Sequence, residues 1–191
     1  TADISIYWYR AASNPTAQIA EPLDNSERAG DIQLGAGMAA GELSSPGTFG
    51  YFAALQVIGA ALGLKAPSAS ASGFPSSDAV YVYDSVMSQF SHAGAGLGTV
   101  AWGSYPQQPM ANDIAAIQYL YGQNGGSSAD TTYFFNPSSD VVLRPLVDVS
   151  GNDTFDFGSY STNLTIDLRP GGWTDLGRQY AVLDNGNPSV K

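Results

Sequence analysis

The segment from Thr48 to Pro67 constrains the fold most, because it is the longest stretch of the chain with almost no charge. Residues 49–62 suit a helix in length, and Gly63 is well placed to end that helix in a left-handed conformation. Lys65 is the only charged residue, so apolar or small side chains on every face predict burial all round. The segment is shorter than the roughly 20 apolar residues that cross a bilayer. We therefore expect the central helix of a soluble domain.

The charge balance limits the classes of partner. The formal net charge is -10, from 17 acidic and 7 basic residues. Nucleic acids and anionic membranes attract a positive protein surface, so neither is expected as a partner. The chain has no cysteine, which excludes disulfides, thiolate metal ligands and cysteine nucleophiles. A charged fraction of 13% with many small polar residues is typical of secreted β-rich proteins, and the acidic side chains suit calcium.

The central helix also carries the spacing of a metal-binding motif. Metzincin proteases bind catalytic zinc through His-Glu-x-x-His-x-x-Gly-x-x-His, in which the glutamate is the general base. On that spacing the histidine positions hold Gln56, Ala60 and Ala66, and the glutamate position holds Val57. The Ala-Leu-Gly-Leu run at 61–64 resembles the serralysin branch of this clan, which consists of secreted bacterial proteases. The spacing is kept, whereas every ligand and the base are replaced.

Two later segments extend the resemblance to the serralysins. Ser-Val-Met-Ser at 85–88 is similar to the family's Met-turn, which places a methionine beneath the metal, but Gln89 stands where the family has a tyrosine ligand. Residues 109–122 begin with proline, carry an apolar stripe and end with glycine, a pattern that predicts a helix. Asp113 near the start of this helix complements its dipole. The segment closely resembles the helix that closes serralysin protease domains.

These replacements do not fit a catalytic zinc site. Such a site needs about three protein ligands, typically histidines, and an open position for water. The chain has one histidine, His92, shortly after the segment that resembles the Met-turn. It could face the former cleft, but a position on a solvated loop is expected. Without the metal no bound water becomes a nucleophile at neutral pH. We therefore expect no zinc and no peptide hydrolysis by this motif.

Two oxygen-rich segments predict calcium instead. The run 148–156, Asp-Val-Ser-Gly-Asn-Asp-Thr-Phe-Asp, resembles a serralysin loop that holds calcium together with an earlier loop, here 127–131. Calcium takes about six to eight oxygen ligands, which closely spaced aspartates and turn carbonyls can supply. An ordinary Asx turn at 152–154 is the alternative. The resemblance implies carboxylate ligands from Asp148 and Asp153, carbonyl ligands from Ser127, Ala129 and Ser150, and a hydroxyl or carbonyl ligand from Thr131.

Short alternating segments predict strands around the two helices. Residues 31–34 are similar to the family's edge strand, which borders the protease cleft. The strands are predicted at 3–9, 31–34, 131–135, 141–147, 155–157, 164–168 and 180–183.

Together these patterns predict an α+β fold in two parts. Residues 1–123 form a metzincin-like core, with a twisted sheet, central helix, Met-turn and closing helix. Residues 124–191 form a small β-rich, calcium-binding segment. The resemblance also implies that the core lacks the first part of a protease domain.

The function expected from the sequence is that of a secreted, calcium-stabilised pseudoprotease that serves as a binding or scaffolding domain. A peptide or protein would occupy the former cleft and pair with an edge strand at 31–34. One alternative is a residual metallopeptidase or another hydrolase, for which Asp78 and Asp84 are a candidate carboxylate pair. The other alternative is a purely structural unit of a larger exported protein.

Several aromatic residues could line a groove for sugar or peptide, although packing in the core also explains them. Tyr81 and Tyr83 alternate and would share one face of a strand. The full set is Tyr7, Trp8, Tyr9, Tyr81, Tyr83, Trp102 and Tyr105.

Overall fold

The computed structural model has a mixed α+β architecture with two helices and several small sheets among the residues it describes. Helix α1 is Phe49–Ala61 and helix α2 is Ala111–Tyr121. The structure describes residues 4–9, 18–19, 30–35, 43–67, 80–92, 95–123, 129–138, 143–148 and 150–177. The strands are β1 Ile6–Tyr9, β2 Gln18–Ile19, β3 Ile32–Gly35, β4 Phe90–His92, β5 Ala95–Gly96, β6 Thr132–Phe134 and β7 Thr154–Asp156.

Helix α1 confirms the predicted central helix, including both of its ends. The Thr48 hydroxyl accepts a hydrogen bond from the Tyr51 amide at 3.3 Å, which satisfies one of the free N–H groups of the first turn. Gly63 has a φ of 90°, as expected for a left-handed residue just beyond the helix. The predicted burial on every face is wrong, because the Phe49 side chain is 50% exposed and the Ile58 side chain 40% exposed.

Strand β3 lies in the middle of a three-stranded sheet with the order β1-β3-β2. It pairs in parallel with β1 and in antiparallel with β2, whose pairing covers Ile32 and Gln33. The expectation that residues 31–34 form an edge strand is therefore wrong. The backbone groups of Ile32 and Gln33 are used on both sides, which leaves no free ladder there for an added peptide.

The main core lies between α1, the turns of 80–89 and the start of α2. Phe52, Val82, Val86 and Met110 have at most 1% of their surface exposed. Each such side chain contributes about 1.5–3 kcal/mol by leaving water. Leu143 belongs to the same cluster, so the segment that follows α2 packs against this core. The Gln107 amide also donates to the Leu143 carbonyl oxygen at 3.0 Å.

The C-terminal segment is built around a parallel pair of strands, β6 and β7, in which Thr132 is opposite Thr154. Residues two apart in a strand share a face, so Tyr133 and Phe135 lie on one face, as do Phe155 and Phe157. The Phe135 and Phe157 rings stack across the pair at a ring-centroid distance of 4.9 Å. Tyr133 and Phe155 add to the same aromatic stack at 5.4 Å.

The other strands predicted for this segment are not found where the structure describes the chain. Residues 143–147 are irregular, and within 164–168 there is only an isolated bridge from Thr165 to Asp175. Residues 180–183 lie outside the described residues. A short two-stranded ladder with long loops therefore replaces the expected series of strands in the described part of this segment.

The segment before the turn at residues 85–88, which we call the Met-turn after the family segment it resembles, is also not a strand. Val82 to Asp84 form a turn, in which the amide of Asp84 donates to the carbonyl oxygen of Tyr81 at 2.9 Å. Tyr81 and Tyr83 consequently do not share a strand face, although their rings lie 5.3 Å apart. Within the described ranges, neither helix has the length and apolar character required to cross a membrane.

Candidate functional site

The residue in the first histidine position of the zinc motif joins α1 to the Met-turn. The side-chain amide of Gln56 donates to the carbonyl oxygen of Val86 at 2.8 Å and to that of Ser88 at 3.3 Å. These two carbonyls belong to a turn, where no ladder partner is available to them. A neutral donor at this position therefore satisfies backbone acceptors of the Met-turn.

The Met-turn also packs directly against α1 through a glycine. A Cβ atom added at Gly59 would lie 2.9 Å from the Met87 Sδ atom and 3.3 Å from a Leu64 methyl carbon. Met87 itself is 8% exposed. The sulfur thus lies against helix backbone, one turn after Gln56, and fills the space that a side chain at Gly59 would occupy.

A buried carboxylate ties the Met-turn to α2. Asp113, 2% exposed, accepts hydrogen bonds from the Ser85 hydroxyl at 2.6 Å and from the Val86 amide at 2.7 Å. The Met110 amide donates to the same carboxylate at 2.8 Å and so is satisfied at the start of the helix. From its sequence position alone, Asp113 is expected only to complement the helix dipole. The Met-turn contact requires tertiary structure, because the two segments are far apart in the chain.

The remaining positions of the zinc motif offer no histidine, carboxylate or thiolate ligand. Val57 and Ala60 are partly buried on α1, and Ala60 packs against the main core. Ala66 and Gln89 are exposed. The Val57, Ala60 and Ala66 side chains supply no lone pair, and the Gln56 amide nitrogen is a donor in its present contacts. Gln89 offers only a neutral amide oxygen, a weak ligand for zinc. The residues present therefore do not fit a catalytic zinc ion.

The alternative hydrolase sites gain no support from the described residues. The Ser91 hydroxyl lies 3.0 Å from the His92 Nδ1 atom, a distance suited to a nucleophile and base. However, Ser91 is fully buried, so no substrate can reach its oxygen. His92 lies on strand β4 rather than on a loop, and Asp78 is outside the described residues.

Among the aromatic residues considered for a groove, Tyr105 and Trp102 differ clearly in their exposure to solvent. Tyr105 is 7% exposed and its hydroxyl donates to the Leu97 carbonyl oxygen at 3.0 Å, as expected for a core residue. Trp102 is 75% exposed.

The two segments proposed to bind calcium lie side by side in the structure. The Thr131 amide donates to the Asp153 carboxylate at 3.0 Å, and the Asn152 amide donates to the Asp130 carboxylate at 2.8 Å. Gly151 has a φ of 124°, and a Cβ atom there would lie 2.8 Å from the Ala129 carbonyl oxygen. The loops can approach this closely only because residue 151 is glycine.

Further oxygen atoms of the predicted set lie beside these loops. The Asp148 carboxylate accepts from the Tyr133 hydroxyl at 2.7 Å and from the Ser150 amide at 3.3 Å. The Thr131 hydroxyl donates to the Ala129 carbonyl oxygen at 3.1 Å. The predicted ligand Ser127 lies outside the described residues.

The described part of the chain has no group of three or more His, Cys, Asp or Glu side chains placed to share a metal ion. Calcium held here would therefore depend on backbone carbonyls and hydroxyls as well as carboxylates. That donor mixture is one that calcium accepts and zinc does not favour. The all-oxygen chemistry of these loops fits calcium.

The sequence of this chain is similar to sequences of known bacterial proteins. A family model described as the peptidase M10 serralysin C-terminal region matches residues 111–184. Serralysin C from Dickeya chrysanthemi is 40% identical over 139 residues, which are 63% of this chain and 29% of that protein. Metalloprotease AprA from Pseudomonas entomophila is 36% identical over 157 residues, 70% of this chain and 32% of that protein. Serralysin from Proteus mirabilis is 34% identical over 152 residues, 69% of this chain and 30% of that protein.

These matches place the chain in the peptidase M10 class of metalloprotease sequences. Within that class, it is a member of the serralysin-like family, with relatives in bacteria. The chain spans 29% to 32% of the length of these three relatives.

Proposed function

We propose that this chain is a non-catalytic, calcium-stabilised binding or scaffolding unit of a secreted serralysin-like protein. The observation that carries the proposal is the contact between Gln56 and the Met-turn carbonyls of Val86 and Ser88. In the resembling proteases this position supplies a histidine to zinc, whereas here its side chain is engaged as a donor to backbone oxygen. The side chain at this position therefore has a structural role, as a hydrogen-bond donor between two elements of the fold.

The absence of a general base supports the same conclusion. Val57 stands in the glutamate position, and its isopropyl group can neither accept nor release a proton. The two other histidine positions hold alanine. Peptide hydrolysis by the family's chemistry needs both an activated water and this base, so we propose that it is lost.

The fold has its own connections between the elements that would surround a metal. Gln56 links α1 to the Met-turn, and Asp113 links the Met-turn to α2 through the Ser85 hydroxyl and the Val86 amide. Buried polar groups are satisfied by these contacts, which avoids the cost of unpaired groups in the core. The segments can thus hold together without a zinc ion.

Calcium is proposed for the loops of the C-terminal segment. Asp148 and Asp153 would offer carboxylate oxygens, while Ala129, Thr131 and Ser150 would offer carbonyl or hydroxyl oxygens. A bound calcium ion would offset the repulsion of the acidic side chains and join the two loops. Gly151 lies close to the Ala129 carbonyl oxygen, which keeps the two loops near enough to bind the same calcium ion.

A partner in the former cleft remains part of the proposal, but backbone pairing at the middle of β3 does not. Ile32 and Gln33 are already paired on both sides, so a peptide would not add to the ladder at these two residues. Secretion is proposed from the resemblance to serralysins and from the low charged fraction of 13%.

The test is elemental analysis of the purified protein after dialysis against trace zinc and calcium, followed by a casein cleavage assay. We expect about one equivalent of calcium or more, no zinc and no cleavage. Replacing Asp153 by asparagine should lower the calcium content, while Asp156→Asn serves as a matched change outside the proposed ligand set. Stoichiometric zinc together with cleavage would overturn the proposal.

A further inference from the structure

Three aromatic side chains and a carboxylate come together where the C-terminal segment meets the turn before the Met-turn. The Tyr83 ring lies 5.3 Å from the Tyr81 ring and 5.9 Å from the Trp173 ring, between centroids. The Trp173 ring is nearly perpendicular to that of Tyr83, at 89°. Asp84 follows directly in the chain. We refer to Tyr81, Tyr83, Asp84 and Trp173 as the acidic aromatic cluster.

The Asp84 carboxylate is held in place by backbone contacts. Its Oδ2 atom accepts from the Tyr81 amide at 3.0 Å, and its main-chain carbonyl accepts from the Asn112 amide at 3.0 Å. Among the described residues no lysine, arginine or histidine lies within ion-pairing distance of this carboxylate. Its negative charge is therefore fixed at one place without a cationic partner in the described chain.

Within the part of the chain that the structure describes, the Asp84 carboxylate of the cluster has no cationic side chain as a counterion. Burial raises the pKa of Asp84 above its usual value, opposed by the hydrogen bond from Tyr81. Burial, and then the charge of Asp84, raise the pKa of the Tyr83 hydroxyl to about 12. A cation beside the carboxylate would oppose both pKa shifts, because it favours the charged forms.

The cluster is accessible from solvent. Trp173 is 42% exposed, and Tyr81, Tyr83 and Asp84 are each partly exposed. The chain as a whole has a net charge of -10, which attracts positive groups. Aromatic faces with a nearby carboxylate are the surroundings that ammonium and guanidinium groups favour, by cation–π attraction and by charge.

We propose that the acidic aromatic cluster binds a lysine or arginine side chain of a basic peptide segment in a partner protein. This inference deepens the binding role proposed above and rests on it. The two ideas fail separately, since a chain that cleaved casein could still bind a cation here. A neutral sugar carries no positive charge, so tighter binding of a cationic peptide than of its uncharged analogue distinguishes the two kinds of ligand.

The experiment is a titration with blocked tripeptides Gly-Lys-Gly and Gly-Arg-Gly at constant ionic strength. Binding is followed by amide and indole NMR shifts and by tryptophan fluorescence. We expect saturable shifts at Tyr81 to Asp84 and at the Trp173 indole, with dissociation constants in the millimolar range. Gly-norleucine-Gly, which has a similar length and no charge, should cause no saturable shift.

Two substitutions test which groups matter. Asp84→Asn keeps the shape of the side chain and should weaken binding about tenfold, while Trp173→Ala should weaken it by a similar factor. The controls are Asp156→Asn, which removes one charge outside the cluster, and Trp102→Phe, which changes another exposed indole. Neither control should alter affinity, and dispersed NMR spectra of all four variants would establish that they fold.

Three results would overturn the proposal. One is the absence of saturable shifts with either cationic peptide. Another is equal loss of affinity in Asp84→Asn and Asp156→Asn, which would mean that only net charge matters. The third is tighter binding of methyl glucoside than of either cationic peptide at the same resonances.

Discussion

The side-chain amide of Gln56 donates a hydrogen bond of 2.8 Å to the main-chain carbonyl of Val86, thereby joining the central helix to the Met-turn. A second bond from the same nitrogen reaches the Ser88 carbonyl at 3.3 Å. One residue of the helix thus contacts both ends of the turn that contains Met87. The stability of this pair of elements is expected to depend on that amide.

Replacing Gln56 by alanine should destabilise the protein by about 1–3 kcal/mol, because two turn carbonyls lose their donor. Urea unfolding followed by circular dichroism measures the change. Gln89→Ala is the matched control, since Gln89 is exposed in the same region, and its effect should stay within about 0.5 kcal/mol. Equal effects of the two substitutions would contradict a structural role for Gln56.

Asp113→Asn should be more damaging than any exposed substitution on α2. One amide N–H group of the new side chain would face a backbone N–H or the Ser85 hydroxyl, all of which now donate to Asp113. We expect a loss of about 2–4 kcal/mol in the free energy of unfolding. Asn112→Ala, at the exposed neighbouring position, is the control for helix effects. A loss below about 1 kcal/mol for Asp113→Asn would show that the turn does not depend on this carboxylate.

Gly151→Ala should weaken calcium binding although it removes no ligand. The new methyl group would collide with the Ala129 carbonyl oxygen, 2.8 Å away, and separate the two loops. Gly171→Ala is a close control, because Gly171 also has a positive φ, of 74°, but has no atom within 4 Å of the added carbon.

Calcium titration by calorimetry, with the increase in melting temperature as a second readout, compares the two glycine variants. Bound calcium stabilises the folded state by about 2.7 kcal/mol when it is present at 100 times its dissociation constant. We expect this stabilisation to be reduced in Gly151→Ala and retained in Gly171→Ala. Similar calcium affinities in both variants would argue against a site shared by the loops.

Asp84→Asn should change how stability depends on pH. Burial raises the pKa of Asp84 above 3.8 in the folded state, so folding favours its protonated form. That contribution is fully present below the unfolded pKa and is lost as pH rises through the folded pKa. The variant, which stays neutral, should therefore gain stability relative to wild type between about pH 3 and pH 7. The gain is expected to be small, because the carboxylate is partly exposed.

The opposite sign is expected for Asp167→Asn, measured by the same urea unfolding series in the presence of a calcium chelator. The hydrogen bonds from Arg169 lower the pKa of Asp167, so its contribution is present above the unfolded pKa and is lost as pH falls through the folded pKa. Parallel pH profiles for the two variants would contradict these assignments.

The sequence by itself determined the local features. Thr48 and Gly63 mark the ends of α1, because capping depends on one side chain or one backbone conformation. The replacement of zinc ligands by Gln56, Ala60 and Ala66 is likewise a matter of residue chemistry. The apolar stripe and the terminal glycine of residues 109–122 predicted α2, which is the helix Ala111–Tyr121.

The tertiary structure decided everything that depends on distant segments meeting. It placed β3 inside its sheet, since strand order follows from long-range pairing that no local pattern encodes. In the folded chain the segment with Tyr81 and Tyr83 forms a turn and not a strand, and the Trp173 ring packs against the Tyr83 ring. It also gave Asp113 and Gln56 their partners in the Met-turn, because a buried donor or acceptor takes whichever group the packing brings within reach.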